Sequence, residues 1–201
     1  NVMKLNKNNY RYDFPIIANW VNSNSKVLDL GCGDGELLNY LKKERNITGY
    51  GIEKDPDNWL KSLKKGINVL QVDIEAGLPE FEDNSFDVVI LSKTIQSMHN
   101  TEEILDEMLR VGKQVIVTFP NFGYWKDRIQ SIQGVMPKSK ELPYSWFNTP
   151  NVHLCTIRDF DNLCKSNKYK IVDRLVLTDN KSVSFFPNLL GALALYNLVN
   201  R

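Results

Sequence analysis

Two rhythms of apolar and polar positions alternate along the 201 residues. Short apolar, β-branched runs predict strands at Lys26–Leu30 (KVLDL), Thr48–Ile52 (TGYGI), Asn68–Val72 (NVLQV), Phe86–Leu91 (FDVVIL) and Gln114–Phe119 (QVIVTF). Helical spacing falls between them. Glu36–Lys43 is one such stretch, and Pro56 is suited to open a helix through Leu60 and Leu63 that stops near Gly66. Thr101 is placed to cap a further helix with Ile104, Leu105, Met108 and Leu109 facing inward. FDVVIL is nearly all apolar, as a central parallel strand covered on both faces requires. The alternation predicts an α/β fold with a doubly wound, mostly parallel sheet and right-handed crossovers.

The rhythm breaks between Pro120 and Thr156. A short amphipathic helix is expected to carry Trp125, Ile129 and Ile132, followed by MPKSKELPYSWFNTPNVHLCT with its prolines and aromatics. That stretch is too long for a plain connection and suggests a cap over the sheet edge, at about residues 120–157. Helix resumes at Arg158–Asn167, and strands at Lys170–Thr178 and Ala192–Val199. These bring the expected sheet to seven strands, the last two forming an antiparallel pair at one edge. No repeat or linker divides residues 1–201, so a single domain is expected, large enough to bury roughly 70% of its unfolded surface.

Composition narrows the partners. Twenty-five basic against twenty-four acidic side chains leave a charge of +1, which offers no support for a nucleic-acid partner. Cys32, Cys155 and Cys164 lack metal-site or paired spacing and read as thiols of a cytoplasmic protein, with no metal expected. The chain opens at Asn1 without an initiator Met and without a secretory pattern. Its greasiest stretch, Leu189–Val199, contains Asn197 and is too short for a membrane span; a buried strand is expected there.

The strongest chemical signal is VLDLGCGDGE, Val27 to Glu36. A strand gives way to a turn with Gly31, Gly33 and Gly35, then to a helix, so backbone amides are open to a ligand. A dinucleotide fingerprint would need its third glycine at position 36, which is Glu36. Asp29 before the turn would repel a pyrophosphate but pair with an ammonium. Glu53, ending the second strand, is positioned to accept ribose hydroxyls. Asp73 is positioned to accept an adenine amino group, with Ile74 beside the ring and Glu75 as the alternative acceptor.

Together these residues resemble the nucleoside site of class I S-adenosylmethionine-dependent methyltransferases, a Rossmann-like fold. The resemblance implies that Asp29, Gly31, Cys32, Gly33, Gly35, Glu53, Lys54, Asp73, Ile74 and Ser92 hold S-adenosylmethionine or S-adenosylhomocysteine, with Lys93 and Thr94 near the methionine end. The stretches YGIEKDPDNW, VLQVDIEAGL, FDVVILSKTIQ, FPNFGYW and LPYSWFNTPNVHLCTIRDF resemble more narrowly the methionine biosynthesis protein MetW family. That likeness implies a methyltransferase-fold protein of methionine synthesis that partners a homoserine O-acyltransferase. Position 93 departs from the family, which usually has glutamine there. The lysine charge would oppose a sulfonium and favour the neutral thioether, unless the side chain points away.

No catalytic residue stands out. His99, His153, Tyr144 and Asp159 are the available bases, each with an ordinary structural use, and the NPPY arrangement of nucleic-acid amino-methyltransferases is replaced by LSKT. Tyr144, Trp146 and His153 are possible substrate or partner contacts, and Trp125 and Phe147 share the aromatic character of interfaces. Two functions stay open. One is a ligand-binding accessory of the acyltransferase; the other is an active small-molecule methyltransferase.

Overall fold

A computed structural model describes residues 10–200. Five parallel strands form one side of the sheet: β1 (Lys26–Leu30), β2 (Thr48–Ile52), β3 (Asn68–Leu70), β4 (Phe86–Ser92) and β5 (Gly112–Pro120). Beyond them lie β6 (Lys170–Thr178), β7 (Lys181–Ser182) and β8 (Leu193–Val199), giving the order β3-β2-β1-β4-β5-β8-β6-β7. β8 runs antiparallel to both β5 and β6, so the antiparallel pair expected at this edge is present.

The helices are α1 (Phe14–Trp20), α2 (Glu36–Arg45), α3 (Pro56–Lys64), α4 (Thr101–Val111), α5 (Trp125–Ile132), α6 (Ile157–Ser166) and α7 (Pro187–Leu190). Alternation along the strands divides the core between the two faces. Leu28, Leu30, Val89 and Leu91 pack with Leu105 and Met108 of α4 and Phe160 of α6. Val27, Val88 and Ile90 pack on the opposite face with Ile17 of α1 and Leu38 and Leu41 of α2. Burial on both sides explains the nearly continuous apolar character of FDVVIL.

Several elements differ from the periodicity. The sheet has eight strands, because β7 folds back on β6 through Asp179 and Asn180, both at positive φ as tight hairpins need. β3 stops at Leu70, and Asp73 instead caps a 3-10 turn, Ile74–Ala76. Thr101 is the first helical residue rather than the cap; Asn100 holds that place without a side-chain bond. Leu189 belongs to α7, and the final strand starts only at Leu193. No element was expected in residues 14–20, which form α1. α5 forms where a short amphipathic helix was expected, with Trp125, Ile129 and Ile132 exposed.

Asn121, just past β5, fastens three segments. Its amide donates to the carbonyls of Asn188 and Gly191 at 3.1 and 2.7 Å, and its oxygen accepts from Gly123 and Ile157 amides at 3.0 and 3.1 Å. Asn121→Ala strands these backbone groups in a buried place, so urea unfolding should show a loss of about 3 kcal/mol or more. A loss of only a few tenths would mean water replaces the amide.

Candidate functional site

In an open α/β sheet the strand order reverses at one point, and connections leaving there in opposite directions open a crevice. Here that point lies between β1 and β4, whose neighbours are β2 and β5. The glycine turn follows β1, and Ser92 ends β4 beside it.

Gly31, Gly33 and Gly35 all have positive φ, at 67°, 57° and 75°. Gly31 is constrained twice, since a Cβ there would meet Thr94 Cγ2 at 2.8 Å. Around Gly33 such an atom would meet nothing within 4 Å, so the turn faces open space at that residue. Glu53 braces the turn. One carboxylate oxygen accepts from the Gly33 amide and the other from the Asp55 amide, both at 2.8 Å. Each ionised oxygen retains further lone-pair capacity.

Asp29 sits at 2% exposure, and its Oδ1 has no hydrogen-bond partner. Burial pushes its carboxyl up to about 7; the Arg11 guanidinium works against that rise and Glu53 adds to it. Arg11 makes two bonds to the buried Asp13, at 2.5 and 3.1 Å, and a third to Ser92 Oγ at 2.8 Å. Ser92 also contacts Thr118 Oγ1 at 3.2 Å. The segment before α1 thus contributes a fixed cation to the crevice. Nothing in its sequence pattern signalled that role, because Ser92, the partner that brings Arg11 to the crevice, is 81 positions away in the chain.

Lys93 does not reach freely into solvent. Its Nζ bonds Glu141 at 2.6 Å, and Tyr12 donates its hydroxyl to the same carboxylate. The Glu141 side chain is 6% exposed. A buried carboxylate holding this ammonium cancels the positive charge expected to oppose a sulfonium. The clamp joins the end of β4 to the long connection between α5 and α6. Gln96 adds to the join, its carbonyl accepting from the Val152 and His153 amides at 2.8 and 3.0 Å.

The remaining expected residues are spread more widely. Cys32 is buried against Gly51, where burial pushes the thiol up to about 12. Lys54 and Asp73 form an exposed ion pair at 3.5 Å, and Asp73 also accepts from the Glu75 amide. Ile74 lies in the core beneath the 3-10 turn. Glu75 accepts from the His99 amide at 2.7 Å and the Asn100 amide at 3.4 Å, which occupies both of these groups in shaping the entry to α4. Tyr144 and Trp146 are exposed, and the exposed His153 ring lies 3.4 Å from the His99 carbonyl. Asp159 forms a reciprocal capping box with Thr156 at the start of α6. A cavity of about 400 Å³ beside Arg128, Arg158 and Phe186 does not include the glycine turn. The glycine turn combines the orphaned Asp29 oxygen, the open face at Gly33 and the Glu53 carboxylate.

This sheet order, glycine turn and carboxylate pair define a class I methyltransferase fold. A SAM-dependent methyltransferase from Thermotoga maritima, described as a possible histamine N-methyltransferase, superposes with a TM-score of 0.69 at 18% identity, covering 94% of this chain and 88% of that one. A TehB-like SAM-dependent methyltransferase from Corynebacterium glutamicum gives 0.66 at 14% identity, covering 97% and 90%. The chain belongs to the methionine biosynthesis protein MetW family, whose profile matches residues 11–198. The bifunctional methionine biosynthesis protein MetXA/MetW of Rhodopirellula baltica is 41% identical over 149 residues, which is 69% of this chain and 24% of that protein. The chain therefore spans about a quarter of the length of this curated relative. Among the described residues, no helix is long and apolar enough to cross a membrane.

Asp29 makes a signed prediction. A carboxyl raised in the folded state favours folding below its unfolded value near 4, and that contribution is lost as pH rises through about 7. Asp29→Asn should therefore gain about 3 kcal/mol of stability relative to wild type as pH rises from 5 to 8. Urea midpoints for both proteins at the two pH values test this; parallel pH slopes would rule out the raised carboxyl.

Proposed function

We propose that the chain binds S-adenosylmethionine or S-adenosylhomocysteine at the glycine turn and serves as the ligand-sensing accessory of a homoserine O-acyltransferase. It acts as one domain, with residues 120–157 as its cap. The observation that carries this function is the Rhodopirellula baltica relative, in which a MetW region 41% identical to this chain is fused to a MetXA region. Fusion supports a partnership because it keeps two proteins at high effective concentration.

The residues present suit the ligand. The orphaned Asp29 Oδ1 offers a buried acceptor to an amino-acid ammonium, and Arg11 beside it offers a guanidinium to the carboxylate end. Glu53 holds the Gly33 amide in place and keeps lone pairs for ribose hydroxyls. The open face at Gly33 leaves room for the nucleoside. When bound, S-adenosylmethionine supplies an activated methyl group on a sulfonium. The side chains around the turn orient that ligand and neutralise its charged ends.

Two measurements follow. Calorimetric titration with S-adenosylhomocysteine should show affinity rising as pH goes from 6 to 8, because an ammonium binds only the ionised Asp29, and proton release at pH 6.5. Glu53→Gln should weaken binding about tenfold through the loss of charged hydrogen bonds. Flat pH dependence and an unchanged Glu53→Gln affinity would reject the assignment. For the partnership, the two proteins should co-purify and acylate homoserine faster together than the acyltransferase alone. Absence of both a complex and a rate change would reject it.

A further inference from the structure

α5 is built inside out. Its buried side chain is Asp127, at 2% exposure, with Oδ1 unpartnered and its carboxyl raised by burial. Ile129 and Ile132 stand outward, Ile132 at 85% exposure. A helix that buries its acid and shows its isoleucines gains nothing from that arrangement within this chain.

The apolar stripe continues onto the following connection. Val135 donates its amide to the Gln130 carbonyl at 3.1 Å. The Gln130 side chain bonds Lys138 in both directions, at 3.0 and 3.3 Å, and Lys138 Nζ reaches Ser145 at 3.5 Å. Next to Ser145 are Trp146, 73% exposed, and Phe147, with the two rings packed edge to face at 5.7 Å. Val135 and the segment that carries this ring pair are therefore tied to α5 through Gln130. Exposed apolar side chains gathered on one helix and on the connection tied to it mark a binding face.

The charge around it has one sign. Between residues 121 and 154 the acids are Asp127 and Glu141, and both are buried. Lys126, Arg128, Lys138 and Lys140 are all exposed. The complementary surface has an apolar centre and a ring of carboxylates.

We propose that this face of α5 and its connection docks the homoserine O-acyltransferase, through a partner surface that is apolar at its centre and acidic at its rim. The proposal rests on the partnership inferred above, and the fused relative supplies the reason to choose that occupant. The face is anchored to the end of β4 by the Lys93–Glu141 pair, so docking falls beside the crevice.

The test is binding between the purified full chain and the acyltransferase. Ile132→Asp and Trp146→Ala should each weaken the complex by about 30-fold, as central anchors do. Lys126→Glu combined with Lys138→Glu should slow association and flatten its dependence on salt. Leu60→Asp, on the exposed part of α3, should leave affinity unchanged. All substituted positions are solvent-exposed, and an unchanged melting temperature confirms that each variant folds. A wild-type chain that forms no complex overturns the partnership itself. A complex that tolerates both Ile132→Asp and Trp146→Ala overturns this face and leaves the partnership standing. Self-association that Ile132→Asp abolishes, with acyltransferase binding retained, assigns the face to a second copy and also overturns the proposal.

Discussion

A carboxylate removed from water must find donors or give up its charge, and this requirement organises much of the C-terminal end of the sheet. Asp13, Asp29, Glu53, Asp127 and Glu141 are all buried, yet they are treated differently. Asp13 is held by Arg11, Glu53 by two backbone amides, and Glu141 by Lys93 and Tyr12. Those three fix the segment before α1, the glycine turn and the α5–α6 connection. Asp29 and Asp127 each keep an oxygen without a partner, and burial raises the carboxyl of both. Removing either partner from a satisfied pair would leave an uncompensated charge in the interior, which is why the paired acids act as fasteners. An orphaned acid has the opposite character: it is a place where an incoming cation gains most.

The sheet decides where this pattern can matter. Parallel pairing brings the C-terminal ends of β1, β2, β4 and β5 to the same side, and the reversal of order at β1 and β4 separates their connections. The turn after β1 needs left-handed backbone, which glycine adopts without strain. Ser92 and Lys93 leave β4 on the other side of the crevice and recruit Arg11 and Glu141. Local backbone chemistry builds one wall, and long-range ionic pairing builds the other.

That division also separates what the sequence disclosed from what it concealed. β4 was legible because burial on both faces leaves a nearly continuous apolar run, and β1, β2 and β6 have the expected bounds. The turn was legible because its constraint is local. Glu53 was legible as a strand-end acid, but its bonds to Gly33 and Asp55 were not. α5 was legible as an amphipathic helix, yet periodicity says only that a helix has an apolar face. It does not say whether this chain or another covers it. Ile132 stayed outside because the interior beneath α5 takes Asp127 instead.

Lys93 shows why the other wall had to be seen. In the sequence it is a cation one residue beyond a strand end, equally suited to solvent and to a ligand. Its backbone takes a left-handed φ of 55°, and its amide bonds Thr118 on the neighbouring strand. The side chain then meets an acid 48 positions away, in a stretch without regular structure. No periodicity links those two positions. The lysine charge, which alone would disfavour a sulfonium, is neutralised by the same bond that holds the connection in place. Ligand chemistry and the anchoring of the α5–α6 connection therefore share one ion pair, so neither can be understood from its own segment of the chain.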